Sequence, residues 1–241
     1  VIALAFSLNE KEKRAISTLV QERMDEHLSR FPFARYPIEP FEAWKHIFAE
    51  PQSVPAETLR DAFRWPLGGW ARKNLPSTHH RTTIKMIKIW PEFAENAAFE
   101  PSQIFQFWEQ RLPDWNTGFN TTTFLLHLMR SDEIEITDAH RISAMHELIQ
   151  AVGISTVDPS HPLSFVAVEQ YSQFFRLILQ KLTYGTESRI KLDRFLKAYG
   201  NRHAYKNVAA EYKTSEPTIR QFSCLFPQTS LSHSFPYIII A

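Results

Sequence analysis

Residues 101–145 read PSQIFQFWEQRLPDWNTGFNTTTFLLHLMRSDEIEITDAHRISAM, and how this stretch folds decides the architecture. Apolar positions at helical spacing predict a helix over 101–111, a short turn containing Pro113 and Gly118, and a second, more apolar helix over 120–131. Glu133, Ile134, Glu135 and Ile136 predict a short extended segment. Thr137 is placed to cap a third helix over 138–152, in which Ile142, Met145 and Leu148 recur at helical spacing and after which Gly153 supplies a stop. Asp138 thus falls at a helix mouth, where a carboxylate complements the helix dipole. The same place would suit a carboxylate that does chemistry.

Outward from this stretch the pattern stays helical. Ser7 and Glu10 form a capping box ahead of KEKRAISTLVQERMDEHLSRF, and further helices are expected near 40–50, 56–65 and 78–89. Beyond a loop containing Pro159 and Pro162, helices are expected near 164–183, 187–199, 203–212 and 216–224, followed by a polar tail. Strand alternation, internal repeats and low-complexity tracts are not evident in the sequence. The fold class is therefore all-α, a single all-helical unit over 1–241 that can divide into two helical lobes with a cleft.

Composition narrows the function classes. With 241 residues and 44% apolar content the chain can bury one good core or two small ones. Cys224 is the single cysteine, which excludes an internal disulfide framework and a thiolate-built zinc or iron–sulfur site within one chain. No cofactor and no metal are expected, and the natural compartment is the cytoplasm, or the nucleoid of a bacterium. The longest apolar run, YIIIA, is too short to span a bilayer, and no charged segment precedes the N-terminal apolar residues, so neither membrane nor export is expected.

Charge is distributed in blocks. Residues 62–91 carry Arg64, Arg72, Lys73, Arg81, Lys85 and Lys88 and no acid. Residues 176–220 carry ten basic residues against four acids, whereas 92–175 carry twelve acids against three arginines. Two basic blocks flanking an acidic one could clamp a polyanion, because phosphate neutralisation dominates nucleic-acid affinity. The plainer alternative is a set of solvated helix faces.

Leu112 and Pro113, then Gly118, Thr121 and Thr122, and later Ile136, Asp138 and His140, give residues 101–152 a pattern that resembles the helix–hairpin–helix DNA glycosylase superfamily. Asn116 stands where that family has its first hairpin glycine. The resemblance implies an all-α glycosylase-like fold and a monomer acting on double-stranded DNA with a flipped base. It implies hydrolysis of the N-glycosidic bond of a modified or damaged base, in repair or in defence against phage DNA with modified bases. Asp138 would be the catalytic carboxylate, stabilising oxocarbenium-like charge on the sugar and directing water. Asn120 stands where bifunctional members carry a lysine, which implies a monofunctional enzyme without lyase activity.

A flipped base needs a pocket, and aromatic side chains usually line it. Among Phe63, Trp65, Trp70, Trp90, Trp108, Trp115 and Phe119 most are expected in the core. Trp65 and Trp70 flank Gly68 and Gly69 in the first basic block and are the pocket candidates, with His140 and Asn120. His79, His80 and His127 are further groups able to polarise a leaving base, and no histidine pair has metal-ligand spacing. Phosphate contacts are expected from Asn116, Gly118, Thr121, Arg72, Lys73 and Arg81. YKNVAAEYKTSEPTIRQF at 205–222 resembles a helix–turn–helix, with Lys213 and Thr214 in the turn, Ser215 as the cap of the second helix, and Lys213 and Arg220 as phosphate contacts. Two rivals to the enzyme remain: a non-catalytic helix–turn–helix DNA-binding protein, and a helical protein-interaction scaffold that needs no Asp138.

Overall fold

The structure is a computed structural model that describes residues 7–38, 40–70, 74–96, 100–154, 163–182 and 185–201. Among these, the chain forms nine α-helices and no strand: α1 Glu10–Leu28, α2 Phe41–Phe48, α3 Ala56–Arg64, α4 Ser77–Glu95, α5 Pro101–Glu109, α6 Trp115–Met129, α7 Ala139–Ala151, α8 Phe165–Leu179 and α9 Ser188–Gly200. The helices expected over 203–212 and 216–224, with the helix–turn–helix segment 205–222, lie outside the described residues.

Helix starts differ from expectation by small, physically definite steps. Asn9, not Ser7, caps α1, in a reciprocal capping box with Glu12. Asp138, not Thr137, caps α7: its backbone is extended and its carboxylate accepts the Arg141 N–H at 2.9 Å. Thr137 turns its hydroxyl instead to the Glu135 carbonyl, at 2.8 Å. Gly153 does follow the end of α7, at φ 83°. The helix expected near 78–89 runs on to Glu95 through Pro91. A mid-helix proline costs about 3 kcal/mol. The packing of Trp90 and Phe93 against Phe48, Phe63 and Trp108 offsets that cost.

The expected hairpin is also revised. Asp114 caps α6 through the Thr117 N–H, so the turn ends there and Asn116 and Gly118 belong to the helix. Gly118 donates its N–H to the Asp114 carbonyl at 2.8 Å, so its own amide is not free for a phosphate. Its lack of a side chain has another cause: a Cβ would stand 2.7 Å from Leu112 Cδ1, where the turn packs back onto the helix.

The main helix pairings fall into two sets. In one, α1, α7, α8 and α9 pack on one another; in the other, α2, α3, α4 and α5 gather around α6. The tightest approach joins α7 to α9, where a Cβ at Gly200 would lie 1.8 Å from the His140 carbonyl oxygen.

Candidate functional site

The connection from α6 to α7 carries Asp138, and its backbone has no strand to pair with. Side chains take over that role. Thr123 of α6 donates to the Thr137 carbonyl at 2.7 Å, His127 Nδ1 bonds the Ile134 carbonyl at 2.8 Å, and the Glu135 N–H donates to Ser172 Oγ of α8 at 3.0 Å. Burial pushes the pKa of His127 down to about 4, so its ring is neutral and Nδ1 carries the proton given to Ile134. The segment expected to be extended is therefore an irregular connector, buried at Ile134, Glu135, Thr137 and Asp138, that presents two carboxylates inward.

The first carboxylate is Asp138, only 3% exposed. Lys197 Nζ of α9 donates to its Oδ2 at 2.7 Å, and the Arg141 guanidinium donates to the same oxygen. Arg141 is 1% exposed and forks its other nitrogens onto Asp193, at 2.9 and 2.8 Å. Lys197 is 4% exposed, with Nζ 4.3 Å from the Tyr36 ring centroid. Asp138, Arg141, Asp193 and Lys197 thus form a charge-balanced quartet inside the α7–α9 interface. Burial alone would raise the pKa of Asp138. The charges of Lys197 and Arg141 outweigh that and hold the carboxylate far below its usual range. It is ionised at neutral pH, and it faces two cations rather than a cleft.

The second carboxylate, Glu135, is bound by Arg176 Nε at 3.0 Å and by Arg189. It lines a cavity of about 220 Å³ between α2, α8 and α9, together with Phe41, His127, Phe175, Arg189 and Asp193. Asp193 is therefore the member of the quartet that reaches a cavity. Neither it nor Lys197 was singled out from the sequence; their i, i+4 spacing on α9 is the only local signal of a shared face.

Several expected site residues are elsewhere. Trp65 is 2% exposed, stacks on Phe124 with centroids 4.6 Å apart, and donates its Nε1–H to the Pro37 carbonyl at 2.7 Å. It is a core residue, and its ring reaches Asp138 through Tyr36 and Lys197 rather than directly. Phe63, Trp90, Trp108 and Phe119 are core as well. Trp70 is exposed and packs edge-on against Trp44. Thr121 is fully buried, so it reaches no phosphate from this position. Asn120 is half-buried, while Asn116 and His140 are exposed. Arg72, Lys73, Lys213 and Arg220 lie outside the described residues.

The acid-free block 62–91 is where charge gathers at the surface. His80, Arg81, Lys85 and Lys88 of α4 are all exposed, with Ile84 exposed among them. Glu92, the next acid along α4, is paired with Arg111 at 3.0 Å. Between α3 and α4 runs a groove of about 470 Å³. Among the described residues there is no group of three or more His, Cys, Asp or Glu able to hold a metal ion, and no helix long and apolar enough to cross a membrane.

No family model matches the chain, and neither a curated protein nor a solved structure is significantly similar to it.

Proposed function

We propose that the protein binds DNA through its phosphate backbone, with the exposed side of α4 and the adjoining side of α3 as the contact surface. The observation that carries this reading is the acid-free stretch of α4 from Ser77 to Pro91. Arg81, Lys85 and Lys88 project from one helix with no carboxylate between them, and the next acid, Glu92, pairs with Arg111. Each cation that meets a phosphate releases condensed counterions, and this term is independent of base sequence. Ile84 adds an apolar contact amid the charges.

Base excision at Asp138 is the second reading. It is favoured by one specific observation, the position of Asp138 at the mouth of α7, downstream of the α5–α6 pair, as the glycosylase resemblance implies. It stands second because Arg141 and Lys197 already occupy the carboxylate, so catalysis would require an opening of the quartet. In that reading Asn120 supplies no amine, water is the nucleophile, and the product is an intact strand with an abasic site.

One experiment separates the two. The purified protein is mixed with DNAs of varied base chemistry, binding is followed by fluorescence anisotropy, and released bases are identified by mass spectrometry. Binding without release supports the first reading. Release that a folded Asp138→Asn variant fails to produce supports the second, and absence of binding at low salt rejects both.

A further inference from the structure

The groove between α3 and α4 is built from one side of each helix. Arg60 and Arg64 stand a turn apart on α3, and Ser77, His80 and Thr83 follow one another along α4. Among the described residues no carboxylate lines it. Thr83 is only 4% exposed, yet among the described residues its hydroxyl, like that of Thr82, has no hydrogen-bond partner. A buried hydroxyl at the wall of a groove is normally satisfied, and a helical threonine can usually turn to a carbonyl of the preceding turn. The mouth of α4 opens into the same groove. Pro76 occupies its cap position and offers no side-chain acceptor, and the first turn holds no acid. Unlike the α6 mouth, capped by the Asp114 side chain, this one has no side-chain cap, and its partial positive charge faces the groove.

We infer that the α3–α4 groove is a binding site for a single phosphate group. Arg60 and Arg64 neutralise it from α3, the α4 mouth and the Ser77 hydroxyl donate to its oxygens, and Thr83 donates from the buried wall. Arg64 is steadied for this by a hydrogen bond from Nη2 to the Gly69 carbonyl at 3.4 Å. The inference deepens the DNA-binding reading and rests on it only for the source of the group. That source is either an internal diester of a bound strand or a terminal 5′-phosphate.

The test uses the full chain and three probes: inorganic phosphate, a duplex with 5′-phosphate ends, and the same duplex with 5′-hydroxyl ends. Phosphate is titrated against the His80 ring proton resonance, and duplex affinity is read by anisotropy. The variants are Thr83→Val, which keeps shape and removes the hydroxyl, and Arg60→Gln, with Lys11→Gln on α1 as a charge-matched control. Saturable movement of the His80 resonance is expected, weakened about tenfold in each groove variant and unchanged in the control. A terminal-phosphate source predicts tighter binding of the 5′-phosphate duplex, with that advantage lost in Thr83→Val. An internal diester predicts equal binding of both duplexes and an equal loss in the variant. No saturable shift with phosphate, or equal weakening by Lys11→Gln, overturns the site, even if duplexes bind. Phosphate binding without duplex binding upholds the site and rejects the DNA reading instead.

Discussion

Lys197 Nζ lies 2.7 Å from Asp138 Oδ2, across the α7–α9 interface and 59 residues along the chain. With Arg141 on the same oxygen, this contact makes the carboxylate a structural anchor before it is anything else. Removing one partner of a buried pair leaves the other charge uncompensated, at a cost of about 3–5 kcal/mol. Lys197→Met and Asp138→Asn are each expected to lose stability of that order in urea denaturation. The double variant leaves Arg141 with Asp193 and is expected to recover part of the loss. Simple additivity of the two single losses would show that the residues are not coupled.

The quartet was only partly legible in the sequence. Asp138 stood out because a carboxylate at a helix mouth is a local signal. Its partners Lys197 and Asp193 did not, since a single sequence gives no contact between α7 and α9. The helices themselves were legible, as Ile142, Met145 and Leu148 show, because an apolar stripe at helical spacing must be buried. Their starts were less so. Thr137 and Asp138 are adjacent polar residues with equal claim to the cap, and only the hydrogen bond to Arg141 distinguishes them. Gly118 misled for a related reason: a glycine packed inside a helix against the Leu112 side chain reads, in sequence, like a glycine needed for a turn. The basic run at 62–91 was visible as charge, but the groove beside it depends on how α3 packs against α4.

Acid should destabilise the protein in two stages. His127 has its pKa lowered to about 4, so below its ordinary value near 6.5 the unfolded chain takes up the proton first. Stability then falls from about pH 6.5 to about pH 4, by up to about 3 kcal/mol. Asp138 follows the depressed-carboxylate rule: its contribution is complete above its ordinary value near 3.9 and is lost as pH drops below it. His127→Asn keeps a donor for Ile134 and is expected to flatten the first stage alone. An unchanged pH profile of the urea midpoint in this variant would assign the first stage to another group.

Two glycines should respond oppositely to alanine. At Gly200 the new methyl would meet the His140 carbonyl, which is backbone and cannot move without parting α7 from α9. A loss of about 3 kcal/mol or more is expected. At Gly118 the new methyl would meet the movable end of the Leu112 side chain at 2.7 Å and its Cβ at 3.2 Å, a cost offset by the helix propensity that favours alanine by about 1 kcal/mol. Gly118→Ala is therefore expected to be near neutral in thermal denaturation. A severe loss there would restore a special backbone role for this residue.

The most direct test of the account is the salt dependence of duplex DNA affinity in the wild-type chain and in an Arg81→Gln, Lys85→Gln, Lys88→Gln triple variant. The account predicts that log affinity falls linearly with log salt for the wild type. The triple variant should bind every sequence more weakly, with a slope shallower by about 0.9 for each phosphate contact removed. Equal affinity and equal slope in the two proteins would contradict the claim that α4 carries the DNA.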